Sequence, residues 1–196
     1  QPAPSKRAYI PKKNGKKRPL GIPSFNDKLV QEVVRMILEA IYEGSFEHTS
    51  HGFRPGRSCH TALISIQKSF SAVKWFIEGD IKGFYDNIDH DVLIGILRER
   101  IADERFLRLI RKFLNAGYIE DWVFHRTYSG TPQGGIISPL LSNIVLNELD
   151  WWLASQWENI PTQYPFKQTP NRNGSPNHGN KYASLRRSGL KEITCV

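Results

Sequence analysis

Residues 78–91, EGDIKGFYDNIDHD, place four aspartates, Asp80, Asp86, Asp89 and Asp91, in a run that is otherwise aromatic and apolar. Carboxylate oxygens suit a divalent cation, and Mg²⁺ commonly takes one or two of them from a protein while leaving room for a substrate phosphate. Asp80 is the best placed of the four. It follows Gly79 at the end of a β-like run, AVKWFIEGDI, rich in aromatic and β-branched residues. The other three have local explanations. Asp86-Asn87 is turn chemistry, Asp89 reads as the N-cap of the next helix, and Asp91 falls in its first turn, where the dipole favours negative charge. The acidic and glycine positions do not match a calcium loop. On these residues alone, a metal-binding and a structural Asp80 stand level.

Three further runs carry candidate chemistry. In KKNGKKRPLGIP, Lys12, Lys13, Lys16, Lys17 and Arg18 surround Asn14-Gly15. A basic hairpin of this kind can grip a triphosphate or a nucleic-acid backbone, and a merely solvated hairpin is the equal alternative. In HGFRPGRSCHTAL, Arg54 and Arg57 stand beside Phe53. Arginine with an aromatic ring suits a phosphate or a single strand, but a buried loop anchor would have the same sequence. In TPQGGIISP, Gln133, Gly134 and Gly135 precede a helix start, so backbone can approach an anionic or planar ligand closely. An ordinary tight turn before a capped helix is the plainer reading of that run.

These residues need elements to hold them. Asn14-Gly15 between extended runs predicts a hairpin. Asn26 or Asp27 opens a helix with Leu29, Val30, Val33, Val34, Ile37, Leu38 and Ile41 on one face, and Gly44 ends it. A second helix starts near Ser58 with Ala62, Leu63, Ile66 and Phe70 inward. A third starts near Asp89 with Val92, Leu93, Ile96, Leu97 and Ile101 inward, and a fourth near Asp103 with Phe106, Leu107, Ile110, Phe113 and Leu114 inward. DWVFHRTYSG reads as one or two strands with a turn near Ser129-Gly130. Ser138 caps, and Pro139 opens, the helix that follows the two glycines. Residues 158–180 are rich in Pro, Asn and Gly and read as a long loop.

The charge balance narrows the partners. Lys and Arg number 27 against 19 Asp and Glu, and the resulting isoelectric point near 9.6 is the footprint of nucleic-acid binding. A basic surface without a nucleic-acid role is the bland alternative. No apolar run approaches the ~20 residues that span a bilayer. Cys59 and Cys195 are the only cysteines, so neither a disulfide framework nor a CxxC zinc spacing is present. The expected setting is a bacterial cytoplasm, with an organelle as the alternative. A start at Gln1 and an apolar end, ITCV, read as a piece of a longer chain.

Each run is weak alone, but their order is not. RPLGIP, HGFRPGRSCHTAL, EGDIKGFYDNIDH and TPQGGIISPLLSNIVLNELD closely resemble the successive sequence blocks of group II intron-encoded reverse transcriptases, from about Lys12 to Trp152. The resemblance implies an α+β, helix-rich architecture, the fingers and partial palm of a right-hand polymerase, with a small antiparallel sheet carrying Asp80. Residues 1–73 would be fingers, 74–157 fingers and palm with the Asp80 strand and the PQGG helix, and 158–196 a loop insertion and the start of the next palm strand. It implies that Asp80 and the carbonyl of Ile81 bind Mg²⁺ in a two-metal site, and that Tyr85, with Phe84 as its neighbour, stacks under the incoming sugar. It further implies that Gln133 and Gly134 touch the nucleotide and primer end. Arg18 with Lys12 or Lys17 would grip the triphosphate, and Arg54 and Arg57 would support the template path, with Lys13 and Lys16 on RNA.

The implied partners are intron RNA, an RNA template with a DNA primer, and dNTPs; a homodimer stays open. The family's tyrosine-x-aspartate-aspartate block is missing, since Tyr182-Ala183-Ser184 shares only its start. The chain by itself is therefore expected to bind RNA without polymerising. Two competitors remain: an RNA-binding splicing cofactor whose polymerase activity is dispensable, and a phosphotransferase built on the Asp80–Asp91 cluster.

Overall fold

The extended runs around Gly15 form strands β1 (Ser5–Pro11) and β2 (Lys17–Ile22), paired antiparallel from Lys6↔Ile22 to Pro11↔Lys17. The computed structural model describes residues 1–12, 15–70, 78–131 and 134–159. Gly15 turns the hairpin at φ 76° and donates its N–H to the Lys12 carbonyl at 3.0 Å, a left-handed geometry suited to glycine. Lys13 and Asn14 lie outside the described residues.

Strands β3 (Tyr118–Glu120) and β4 (Val123–His125) join this hairpin in a four-stranded sheet of order β2-β1-β3-β4. Two expectations change here. The sheet is mixed, not antiparallel, because β1 and β3 run parallel (Ser5↔Tyr118, Lys6↔Ile119). A parallel pair needs a long crossover, and the described residues between the two strands include five α-helices. The sheet also does not hold Asp80. Residues 78–81 have no regular structure, and the expected strand before them falls on residues 71–77, outside the described residues. The turn of the second hairpin falls at Asp121-Trp122, both at positive φ, so Ser129-Gly130 is free for another task.

The helices are α1 (Phe25–Tyr42), α2 (Cys59–Ser69), the single turn α3 (Phe84–Asn87), α4 (His90–Arg98), α5 (Glu104–Leu114) and α6 (Ser138–Asn159). Their starts follow local chemistry. Asp89 accepts from the N–H groups of Asp91 and Val92, Asp103 from those of Arg105 and Phe106, and Ser58 with Thr61 forms a reciprocal capping box. For α1 the cap is Ser24, which accepts from the Asp27 N–H; Asn26 and Asp27 lie inside the helix. Gly44 does not stop that helix at once, because a 3₁₀ turn at Glu43–Ser45 continues it.

Leu38, Leu93, Leu97, Ile110, Leu141 and Ile144, from α1, α4, α5 and α6, form the centre of the core. The sequence period misplaces some inward faces. On α1 the buried side chains are Gln31, Val34, Leu38 and Tyr42, while Leu29, Val30, Val33 and Ile37 are exposed. A second apolar stripe, through Leu29, Val30, Val33 and Ile37, adjoins the buried one, and periodicity cannot say which of the two meets the core. No residue of α2 is buried, and its Leu63 is 62% exposed; Val92 of α4 is exposed as well. Among the described residues no helix is long and apolar enough to cross a membrane.

Leu97 has no exposed surface, so Leu97→Ala is expected to lower unfolding free energy by about 2–5 kcal/mol. Leu63→Ala on the exposed face should change it by no more than about 0.5 kcal/mol. Chemical denaturation of both variants checks the placement, and equal losses would contradict it.

Candidate functional site

The segment from Phe84 to His90 is bound to the segment from Ser129 to Thr131 by a short polar clamp. Gly130 donates its N–H to the Ile88 carbonyl and Thr131 donates its N–H to the Tyr85 carbonyl, both at 2.7 Å. The Ser129 hydroxyl donates to the Asp86 carbonyl at 3.0 Å. His90, buried at 6% exposure, places Nε2 at 2.7 Å from the Gly130 carbonyl and Nδ1 at 3.0 Å from Oδ1 of Asn115. A carbonyl can only accept, so Nε2 carries the proton in this contact. Gly130 has φ +81°, and a Cβ there would lie 2.5 Å from the Tyr85 oxygen and 2.8 Å from the Asp86 Cα. Only glycine lets the two segments come this close.

The same loop is fixed on its far side by the hairpin and α1. A Cβ on Gly134, at φ +105°, would sit 2.8 Å from the Gly21 carbonyl of β2. The Ile136 N–H donates to Oε1 of the buried Gln31 at 2.9 Å. Gln133 lies outside the described residues, but its neighbours Thr131 and Gly134 are held against Tyr85 and Gly21. Arg18 and exposed Lys17 lie on β2, with Arg18 about 10 Å along the strand from Gly21. The rings of Phe84 and Tyr85 meet edge to face at 6.1 Å. Phe84 packs on the core, and Tyr85 is not part of that packing.

The aspartates sort as follows. Asp80 and Ile81 are exposed in the irregular stretch before Gly83, which enters α3 at φ 64°. Asp89 spends its carboxylate on two backbone N–H groups, which hold its pKa below the usual aspartate range. Asp91 pairs with Arg111. Among the described residues no three Asp, Glu, His or Cys side chains converge on a metal-sized point. Asp80 with the Ile81 carbonyl offers hard oxygens that fit a share of a Mg²⁺ site, not a closed one.

Arg54 departs from the RNA-contact expectation. Its guanidinium donates to the Glu43 carboxylate and to the carbonyls of Glu43, Glu47 and Ser50, leaving no N–H for a phosphate. Its side chain is 6% exposed beneath the loop, so it is the anchor that the sequence allowed as an alternative. Arg57 donates one Nη1 hydrogen to the His48 carbonyl at 2.9 Å and is half-buried. The sequence assigned His90 no role and gave Gly130 only a hairpin turn. The His at the end of GFYDNIDH is visible in the sequence, but its partner lies 40 residues away.

A family profile described as "Reverse transcriptase (RNA-dependent DNA polymerase)" matches residues 10–165. The "Group II intron-encoded protein LtrA" of Lactococcus lactis subsp. cremoris is 58% identical over 170 residues, covering 86% of this chain and 28% of that protein. The "Nuclear intron maturase 1, mitochondrial" of Arabidopsis thaliana is 41% identical, covering 68% of this chain and 26% of that protein. Among solved structures, a chain of a "Partial Cas6-RT-Cas1--Cas2 complex" is 24% identical with a TM-score of 0.46, covering 85% of this chain and 28% of that chain. This chain thus spans little more than a quarter of the length of the Lactococcus protein.

Gly56 and Gly130 both have positive φ, but only Gly130 has atoms where a Cβ would go. Gly56→Ala should therefore lower stability by about 1–2 kcal/mol for the left-handed backbone. Gly130→Ala should lose that and about 1–3 kcal/mol more from the clash. Equal losses in denaturant titrations would mean that the clamp yields. A second outcome concerns acid. Because the folded pKa of Asp89 is depressed, its contribution is present above the ordinary aspartate range and is lost as pH falls through the depressed value. The stability difference between the protein and Asp89→Ala, measured across acid pH, should shrink in that window and be flat above it.

Proposed function

This chain belongs to the reverse transcriptase (RNA-dependent DNA polymerase) family, of the group II intron-encoded kind, and from that premise we propose that it supplies the fingers and first palm elements of an RNA-directed DNA polymerase that also binds intron RNA. One observation carries the reading furthest. The Gly134 loop rests on Gly21 of the basic hairpin and its Thr131 end is bonded to Tyr85, so three separate sequence blocks meet at one edge. Such an edge can position a nucleotide, which is most of what phosphoryl transfer asks of a protein.

In this reading Arg18, Lys12 and Lys17 neutralise the triphosphate of a dNTP, and Tyr85 lies under its sugar. Phe84 is the less suited ring because it is committed to the core. Gln133 and the Gly134 backbone face the base and the primer end. Asp80 and the Ile81 carbonyl would hold Mg²⁺, in the family's two-metal arrangement, with further carboxylates from elsewhere in the protein. The ion supplies charge neutralisation at the reacting phosphate. Lys13, Lys16 and Arg57 are the proposed RNA contacts near the hairpin, and template RNA with a DNA primer is the proposed polymer substrate. The polymerase and splicing activities of the whole protein belong to this proposal.

The test is primer extension on an RNA template, beside splicing of the cognate intron, by the protein as encoded. Asp80→Asn should abolish DNA synthesis and leave splicing within about twofold. Synthesis that survives Asp80→Asn would overturn the polymerase assignment and favour the splicing cofactor whose polymerase is dispensable. RNA binding should weaken steeply with salt, by about 0.7 log units per log unit of salt for each phosphate contact. Reversing Lys12, Lys13, Lys16 and Lys17 together should flatten that dependence, and an unchanged slope would move RNA away from the hairpin.

A further inference from the structure

The two faces of α5 have opposite characters. Leu107, Ile110, Phe113 and Leu114 are buried in the core, and the reverse face carries Arg105, Arg108, Arg111 and Lys112. Three of those cations, with Arg126 from the segment after β4, border an open groove of about 710 Å³. Its rim carries the rings of Phe124 and Tyr128, which are 51% and 81% exposed. Asn115 and His90 line it too, and Gln1 to Pro4 form one side.

The nearby acids neutralise this face only in part. The Glu104 carboxylate is held by Arg98 at 2.7 and 3.1 Å, and Asp91, the one carboxylate in the groove, is paired with Arg111. Arg108 donates Nε to the Glu104 carbonyl at 3.1 Å, leaving both terminal nitrogens without a hydrogen-bond partner among the described residues. Lys112 and Arg126 have no ion-pair partner among the described residues. Cations alone would suit any polyanion. Cations beside two wet aromatic faces suit a strand whose phosphates can be neutralised while its bases stack. A paired duplex has no base face to offer those rings.

We propose that this groove, between α5 and residues 124–128, is a second contact for single-stranded RNA, separate from the edge formed by the hairpin and the Gly134 loop. It rests on the preceding reading for the choice of RNA. Arg108, Lys112 and Arg126 take the phosphates, and Tyr128 and Phe124 take the bases. His90 lines the groove while its Nε2 holds Gly130, so a strand seated here shares a wall with the clamp.

The experiment measures fluorescence anisotropy of the 196-residue chain with a labelled, unstructured 12-nucleotide RNA across a salt series. Lys112→Glu with Arg126→Glu should weaken binding at least tenfold and flatten the log–log salt dependence by about 1.4, the share of two phosphate contacts. Tyr128→Ala should weaken binding several-fold with the slope unchanged, and Tyr128→Phe should restore it. All three positions lie outside the core, and melting curves confirm that the variants fold. Unchanged affinity and slope in the charge-reversed variant, with binding lost on reversing Lys13 and Lys16, would overturn the groove and leave the RNA reading intact. No binding by the unaltered chain would overturn both. Equal binding of a duplex of the same length, or equal displacement by polyglutamate, would overturn the single-strand assignment.

Discussion

Two backbone hydrogen bonds, Gly130 to Ile88 and Thr131 to Tyr85, set the geometry on which the candidate site depends. Each contributes on the order of 1 kcal/mol net, yet together they fix two segments that no regular strand pairing joins. The residues around them follow from that constraint. Position 130 must be glycine because the partner backbone occupies the space of a Cβ. His90 must be buried, because its ring spans from Asn115 at the end of α5 to the carbonyl of that glycine. The core of α1, α4, α5 and α6 then has a recognisable task. It holds α4 still, so that a polar loop at its rim can keep one conformation.

Charge is divided between inside and outside by the same economy of partners. Many of the carboxylates are committed locally: Asp89 and Asp103 to helix caps, Asp91 to Arg111, Glu104 to Arg98, Glu43 to Arg54. The lysines and arginines of the hairpin and of α5 are less matched, so the excess of positive charge is outward. A surface of this kind raises the encounter rate with polyanions at low salt. It also separates the roles of arginines that look alike in sequence. Arg54 sits under a loop and binds protein carbonyls, whereas Arg126 borders an open groove.

What could be read in advance was whatever the chain decides within a few residues. The Asn-Gly hairpin, the caps at Ser58, Asp89 and Asp103, and the non-metal roles of Asp89 and Asp91 are local, and the structure has them. What could not be read depends on partners distant in sequence. The parallel pairing of β1 with β3 joins residues more than a hundred positions apart. The buried stripe of α1 was hidden by a second apolar stripe, and the burial of Arg54 required knowing that Glu43 and two loop carbonyls surround it. The family blocks imply that Tyr85 and Gln133 act together. Only the structure shows that Thr131, bonded to the Tyr85 carbonyl, is what brings that loop alongside.

The clamp is most directly tested by native-state hydrogen exchange of the Gly130 and Thr131 amides. If both bonds hold as described, these amides exchange as slowly as those in the first turns of α4, despite lying in a loop. His90→Asn should then release them while leaving the middle of α4 protected. Exchange of both amides at the rate of an open loop in the unaltered protein would contradict the clamp, and with it the arrangement of the candidate site.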